Sequence, residues 1–406
     1  MEAATRALAV LLSTMMPVLS GCSSLSGVLE PVHEQYADAT KVAVLVSTTR
    51  APSADRSILF SGERGQTSQA AISVSIPPDE ARDVGQVQWP RQIPPNPAAE
   101  FAVLDVQQLD GKAQTAAWLR THATKSRRAL VFVHGFNTTF ERSLIWFAQI
   151  AHDAGADATP VLFSWPSRGS LFEYSYDRES AAFSRDALER LLRELAASPA
   201  IDEITILAHS MGAWVTTETL RQMSIRDGRI SGKIQTVILA SPDIDLDVFR
   251  SQLQTFGKAR PQFFVFISRR DRALRLSRRI AGNIERLGAV DPDANPWLVS
   301  EGIAVVDLTD TATGSWTRHA KFAENPDAIR FLGAQMINGS GDEPGGFGER
   351  LQSLSVGVTQ GIGGAAGMVL TAPIAIVNPK ARPAFANQFD QVQQAVDDMY
   401  LPAPAR

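Results

Sequence analysis

A serine hydroxyl becomes a nucleophile where a sharp turn presents it beside a base, and one segment of this chain is composed for such a turn. It reads Ile204-Thr205-Ile206-Leu207-Ala208-His209-Ser210-Met211-Gly212-Ala213. An apolar strand runs into Ser210 and a helix leads away from Gly212. Small residues two before and two after the serine let strand and helix pack closely. Ala208 and Gly212 hold those positions, alanine standing where glycine is usual. An acyl carbonyl attacked by Ser210 would develop an oxyanion, which needs two preorganised N–H donors. One expected donor is the backbone N–H of Met211. The other is that of Phe136, with Asn137 as second choice, in Val131-Phe132-Val133-His134-Gly135-Phe136-Asn137, an apolar strand ending in His-Gly. His134 is expected to shape that loop and not to carry protons.

In this layout the chain order is nucleophile, then acid, then histidine. His33, His122, His134, His152 and His209 all precede Ser210, and only His319 follows it. His319, in the polar stretch 313–319, is therefore the expected general base. The acid should follow a strand between the two. Asp271, which follows the apolar run 263–267 through Ser268-Arg269-Arg270, is the first choice. Asp243, in Ala240-Ser241-Pro242-Asp243-Ile244-Asp245, is the alternative. Such an acid fixes the imidazole tautomer and stabilises the imidazolium. Asp307 and Asp310 are nearer His319 but follow the strand after which the histidine loop itself is expected.

These residues need a scaffold. Strand-like runs occur at 41–48, 71–76, 101–106, 129–133, 160–165, 204–207, 234–239, 263–267 and 303–306. Helical spacing occurs at 140–152, 180–197, 212–223 and 326–332. Uninterrupted apolar strands alternating with amphipathic helices predict an α/β fold, with a mainly parallel central sheet and helices on both faces. A proline-rich interval at 77–97 reads as loop.

Of 406 residues, 44% are apolar and 20% charged, as in ordinary globular proteins. A net charge of −4 gives no footprint for nucleic acid, although arginines cluster locally at 269, 270, 272, 275, 278 and 279. The single cysteine, Cys22, excludes an internal disulfide and a thiolate zinc site. Neither a metal nor an organic cofactor is expected.

Arg6, the apolar run 7–16 and small residues before Cys22 describe a secretory signal, shorter than the about 20 residues that span a bilayer. Leu19-Ser20-Gly21-Cys22 resembles the lipobox of bacterial lipoproteins. That resemblance implies lipidation of Cys22, cleavage after residue 21 and a place in the cell envelope. Ser23 in the next position points to the periplasmic side of the outer membrane.

Across residues 42–332 the chain resembles the uncharacterised bacterial esterase/lipase-like group of the α/β-hydrolase superfamily. The residues that carry the likeness are Val44-Leu45-Val46-Ser47-Thr48-Thr49-Arg50, Val133-His134-Gly135-Phe136-Asn137, Phe163-Ser164-Trp165-Pro166-Ser167, Tyr176-Asp177 and Ser184-Arg185. Leu207-Ala208-His209-Ser210-Met211-Gly212, Pro242-Asp243-Ile244-Asp245 and Asp271-Arg272-Ala273-Leu274 complete it. The likeness implies the fold and a serine hydrolase site but supplies no substrate; the leading expectation is hydrolysis of a small acyl-ester or lipid substrate. Acyl transfer and peptide cleavage would use the same groups, and the rival reading is a noncatalytic envelope module for binding or assembly. The aromatic stretch Trp165, Phe172, Tyr174 and Tyr176, with Arg168, reads equally as a site mouth or as loop packing.

The expected organisation is signal peptide 1–21, tether 22–40, catalytic domain 41–335, glycine-rich linker 336–350 and an apolar Gly/Ala-rich segment with its tail, 351–406. Gly357 with Gly361 and Gly363 with Gly367 permit close helix contact, so residues 356–377 are a second candidate for membrane or partner contact. Oligomeric state is not encoded in any pattern found.

Overall fold

The computed structural model describes residues 27–33, 36–55, 57–155, 157–311, 318–338 and 375–376. In chain order the strands are β1 (Thr40–Pro52), β2 (Phe60–Ile76), β3 (Ala102–Leu109), β4 (Arg128–Val133), β5 (Thr159–Ser164), β6 (Glu203–His209), β7 (Ile234–Ala240), β8 (Gln262–Ile267), β9 (Ala304–Asp307) and β10 (Ala375–Ile376). The helices are α1 (Gly111–His122), α2 (Phe140–Asp153), α3 (Tyr174–Ala197), α4 (Met211–Asp227), α5 (Leu246–Phe256), α6 (Arg272–Ile280), α7 (Trp297–Ser300), α8 (Lys321–Glu324) and α9 (Pro326–Asn338).

Among the described residues the strands form one sheet, ordered β10-β9-β8-β7-β6-β4-β5-β1-β2-β3. It is parallel from β1 through β9 by way of β5, β4, β6, β7 and β8, and antiparallel where β1–β2–β3 and β9–β10 pair. Alternation along β4 shows how each strand feeds two cores. Ala129, Val131 and Val133 face one apolar cluster with Leu188, Leu191, Val215 and Phe249. Leu130 and Phe132 face the other, with Leu144, Phe147, Ile150 and Ile329. Burial on both faces is why these strands read as unbroken apolar runs.

Chain direction switches at β4, whose neighbours are β5 on one side and β6 on the other. Ligand sites in open α/β sheets lie at the carboxyl ends of strands beside such a switch. Backbone strain collects there. Asn137 (φ 56°), Ser210 (φ 54°) and Ser241 (φ 46°) follow β4, β6 and β7.

Several expectations need revision. Within the expected tether, Val28 and Leu29 are buried in the second core, and Val32, also buried, donates its N–H to Val103 O at 2.8 Å. Apolar side chains in an otherwise polar stretch found a face beside β3. Helix α9 runs to Asn338, so the expected linker begins as helix. Strand β2 starts eleven residues before the expected 71, because its pairing with β1, and not alternation, sustains it. Of the segment 356–377, only the pair Ala375–Ile376 is described, as a strand on β9. Cys22 and the expected signal, residues 1–21, lie outside the described residues.

Candidate active site

Ser210 sits between β6 and α4 with φ 54° and ψ −119°, a conformation that costs about 1–3 kcal/mol for a residue with a side chain. The surroundings hold it there. Ser210 N–H donates to Ala240 O at 2.9 Å, and Asp243 N–H donates to Ser210 O at 3.2 Å. Two glycines permit the close packing. A Cβ on Gly212 would stand 2.3 Å from His134 O and 2.4 Å from Val133 O. A Cβ on Gly135 would stand 2.8 Å from Ser210 Cβ. The His-Gly strand end and the serine turn are thus in contact, as the sequence expectation requires. Met211 opens α4, where an N–H has no acceptor within the helix. Phe136 follows Gly135 in the loop that touches Ser210.

Asp271 caps α6 and is fully buried. One of its carboxylate oxygens accepts Leu274 N–H at 3.0 Å. The other lies 2.7 Å from His319 Nδ1. Burial works to lower the His319 pKa, but the charge and hydrogen bond of Asp271 outweigh it, and the net shift is upward from 6.5. The imidazole ring of His319 rests on that of His209, centroids 4.7 Å apart, and His209 directly precedes Ser210. His209 is itself packed against Phe322 and Trp146. Burial holds its pKa well below 6.5, so it is a neutral shelf under His319.

The alternative acid is engaged elsewhere. Asp243 forms an ion pair with Arg286 at 3.2 Å and accepts hydroxyl hydrogen bonds from Ser277 at 2.6 Å and Tyr174 at 3.1 Å. The geometry therefore joins His319 to Asp271 and not to Asp243. Asp307 pairs with Arg269 and Asp310 with Arg270.

The loop after β4 has its own framework, which sequence reasoning did not find. Arg50, buried at the end of the β1 pairing with β5, donates to Thr138 O at 2.7 Å, Ser167 O at 2.9 Å and Ser164 Oγ at 2.9 Å. Burial lowers its pKa to about 10. Asp177, also buried, accepts Asn137 N–H at 3.2 Å, Arg168 N–H at 3.1 Å and the Ser167 hydroxyl at 2.5 Å. Burial pushes its pKa up despite these donors. The Asn137 N–H is thus occupied, which removes it as second choice for the oxyanion. His134 stacks on Trp165, accepts Trp165 N–H at Nε2 (3.2 Å) and donates from Nδ1 to Gly135 O (2.9 Å). Burial, reinforced by Arg50, pushes its pKa down to about 3, so it is neutral and structural, as expected.

Lys321 is a second unanticipated anchor. Its buried ammonium donates to the carbonyls of Leu308 (2.7 Å), Thr309 (2.7 Å) and Thr311 (3.0 Å). It ties the chain just after His319 to the chain just after β9. Of the aromatic stretch, Trp165 is buried and Tyr174 packs edge-on to Phe136 at 5.2 Å, whereas Phe172 is 97% exposed.

Among the described residues no group of three or more His, Cys, Asp or Glu could hold a metal, and no helix is long and apolar enough to cross a membrane. Sheet order, strained serine turn and Asp–His pair define the α/β-hydrolase class. Residues 111–338 match the family described as alpha/beta hydrolase of unknown function (DUF900), and the chain belongs to that family. A stretch of 131 residues, 26% of this chain, is 27% identical to an uncharacterised protein of Nostoc sp. (strain PCC 7120) and spans only 34% of that relative. A hyperthermophilic esterase from Pyrobaculum calidifontis superposes at TM-score 0.34 with 14% identity, over 67% of this chain and 82% of that one. Carboxyl esterase 2 of Tuber melanosporum superposes at TM-score 0.33 with 10% identity, over 82% of this chain and 96% of that one. At such values the likenesses carry no argument about substrate.

Proposed function

We propose that this α/β-hydrolase cleaves carboxylic esters through Ser210, His319 and Asp271. The observation that supports the reading is the strained Ser210 turn together with the 2.7 Å Asp271–His319 pair, whose imidazole packs on His209, the residue before Ser210. Ser210 Oγ attacks the ester carbonyl while Nε2 of His319 takes its proton. The N–H groups of Met211 and Phe136 stabilise the oxyanion, each worth about 3–4 kcal/mol in comparable sites. Collapse of the tetrahedral intermediate expels the alcohol, which leaves with the proton held by His319, and an acyl-serine remains. Water, deprotonated by the same imidazole, releases the acid and restores the hydroxyl. Asp271 keeps the proton of the neutral ring on Nδ1 throughout. A panel of p-nitrophenyl acyl esters tests this. Turnover that disappears in Ser210→Ala supports it, and turnover retained there would sink it.

The proposal extends to location. Lipidation of Cys22 would place the enzyme in the cell envelope, on the periplasmic side of the outer membrane. The lipobox-like Leu19-Ser20-Gly21-Cys22 supports that reading. Incorporation of radiolabelled palmitate into the full chain but not into Cys22→Ser would be its signature. No incorporation in either would refute it.

A further inference from the structure

The arginine cluster noted in the sequence has no part in the chemistry above, and the fold puts it at the rim of the site. Helix α6 starts at Asp271 and turns only Leu274 and Ser277 inward. Arg272, Arg275, Arg278 and Arg279 are all exposed, and no carboxylate occurs between Arg272 and Ile284. Arg269 and Arg270 pair with Asp307 and Asp310, and Arg278 donates from Nε to Asn283 O at 3.2 Å. At helical spacing Leu276 and Ile280 share one edge of the exposed face and Arg275 and Arg278 the other. Both apolar residues are more than half exposed, and Ile284 follows at 45%. Exposed leucine and isoleucine flanked by arginine make the pattern of a helix lying in a bilayer interface.

A second exposed apolar pair belongs to an element that contacts the same helix. Leu171 and Phe172, 67% and 97% exposed, lie in a short turn just before α3. Tyr174 at the start of α3 donates to Asp243 and lies 3.2 Å from Ser277 Oγ, which links that turn to α6. The combined rim is apolar and cationic, whereas the whole chain carries −4.

We infer that α6 and the Leu171–Phe172 turn form a docking surface for an anionic phospholipid bilayer, distinct from the Cys22 anchor. It brings the mouth of the site against the membrane. Charge complementarity selects this occupant. Exposed arginines, Arg275 and Arg279 foremost, match a phosphate-rich surface, and the five apolar side chains reach the acyl boundary.

The test uses the full chain with Cys22→Ala and Ile280→Cys, so that residue 280 carries the only thiol, labelled with an environment-sensitive fluorophore. A sister chain with Cys22→Ala and Lys125→Cys reports from the opposite, amino-terminal end of the strands. Vesicles are phosphatidylcholine alone or mixed with phosphatidylglycerol. The expected result is a blue shift at 280 on anionic vesicles only, reversed by molar salt and absent at 125. Each arginine near an anionic surface contributes about fivefold in partition. Adding Arg275→Glu and Arg279→Glu should therefore raise the lipid needed for half the shift by about 25-fold or more. Circular dichroism confirms that this variant is folded. No shift at 280, an equal shift on neutral vesicles, an equal shift at 125, or an unchanged titration with the arginines reversed would each overturn the inference.

Discussion

Replacing Asp271 by asparagine separates charge from shape at the site. The carboxylate has two partners, Leu274 N–H at 3.0 Å and His319 Nδ1 at 2.7 Å. Asparagine caps helices about as well as aspartate, so the amide oxygen can retain the first contact and α6 should remain folded. The second cannot survive in the same sense. An amide nitrogen facing Nδ1 donates a hydrogen bond, so the ring must carry its proton on Nε2, the atom that has to accept the proton of Ser210. In serine proteases this inversion costs about 10⁴-fold in kcat, or about 5.5 kcal/mol of transition-state stabilisation. The same loss is expected here, because Asp271 is buried and water cannot replace it. Single-turnover kinetics on the best p-nitrophenyl ester measure it, with urea titration as a check on folding. Asp243→Asn is the companion. It strands the buried Arg286 and should cost roughly 3–5 kcal/mol of stability while leaving the tautomer intact. An Asp271→Asn enzyme within tenfold of wild type, or a larger chemical defect in folded Asp243→Asn, would refute the assignment.

Other consequences follow from the same contacts. Because His319 must be neutral to act and its pKa is raised, kcat/KM should rise with pH through a midpoint above 6.5, and a midpoint below 6.5 would contradict the Asp271 contact. The same raised pKa contributes stability that is full below 6.5 and is lost as pH climbs through the folded value. His134 has the opposite sign: with its pKa at about 3 in the fold, it contributes stability above 6.5 that falls by about 1.4 kcal/mol per pH unit between 6.5 and 3, readable in urea midpoints against pH. Gly212→Ala forces a methyl against the His134 and Val133 carbonyls, so a loss of about 1–3 kcal/mol in thermal unfolding is expected, with reduced turnover. Lys321→Met releases three carbonyls beside the histidine loop and should lower kcat more than it raises KM; unchanged kcat would show that the loop is held elsewhere.

The proposed catalytic residues were legible because their signals are local or ordinal. Ser210 lies in a strand–turn–helix pattern, and His319 is the one histidine after it. Asp271 follows an apolar strand. The supporting residues were not. Arg50 and Asp177 meet the His134 loop from 88 and 40 residues away, and nothing in their own neighbourhoods marks that contact. His209 reads as the variable position of a turn until Phe322 and His319 close over it. Helix α1 escaped notice because it buries only Thr115, Trp118 and Leu119, too few for a clear stripe. Helix α6 escaped notice for a related reason: it buries only Leu274 and Ser277. The central strands, buried on both faces, could be read almost to the residue.

The most direct measurement is labelling of the full chain by a fluorophosphonate probe, beside Ser210→Ala and His319→Ala. An activated serine should label rapidly in the wild type, with the adduct mapped to Ser210 by mass spectrometry, and not in either variant. A folded wild type that does not label, or labelling that persists in Ser210→Ala, would contradict the proposed chemistry at this site.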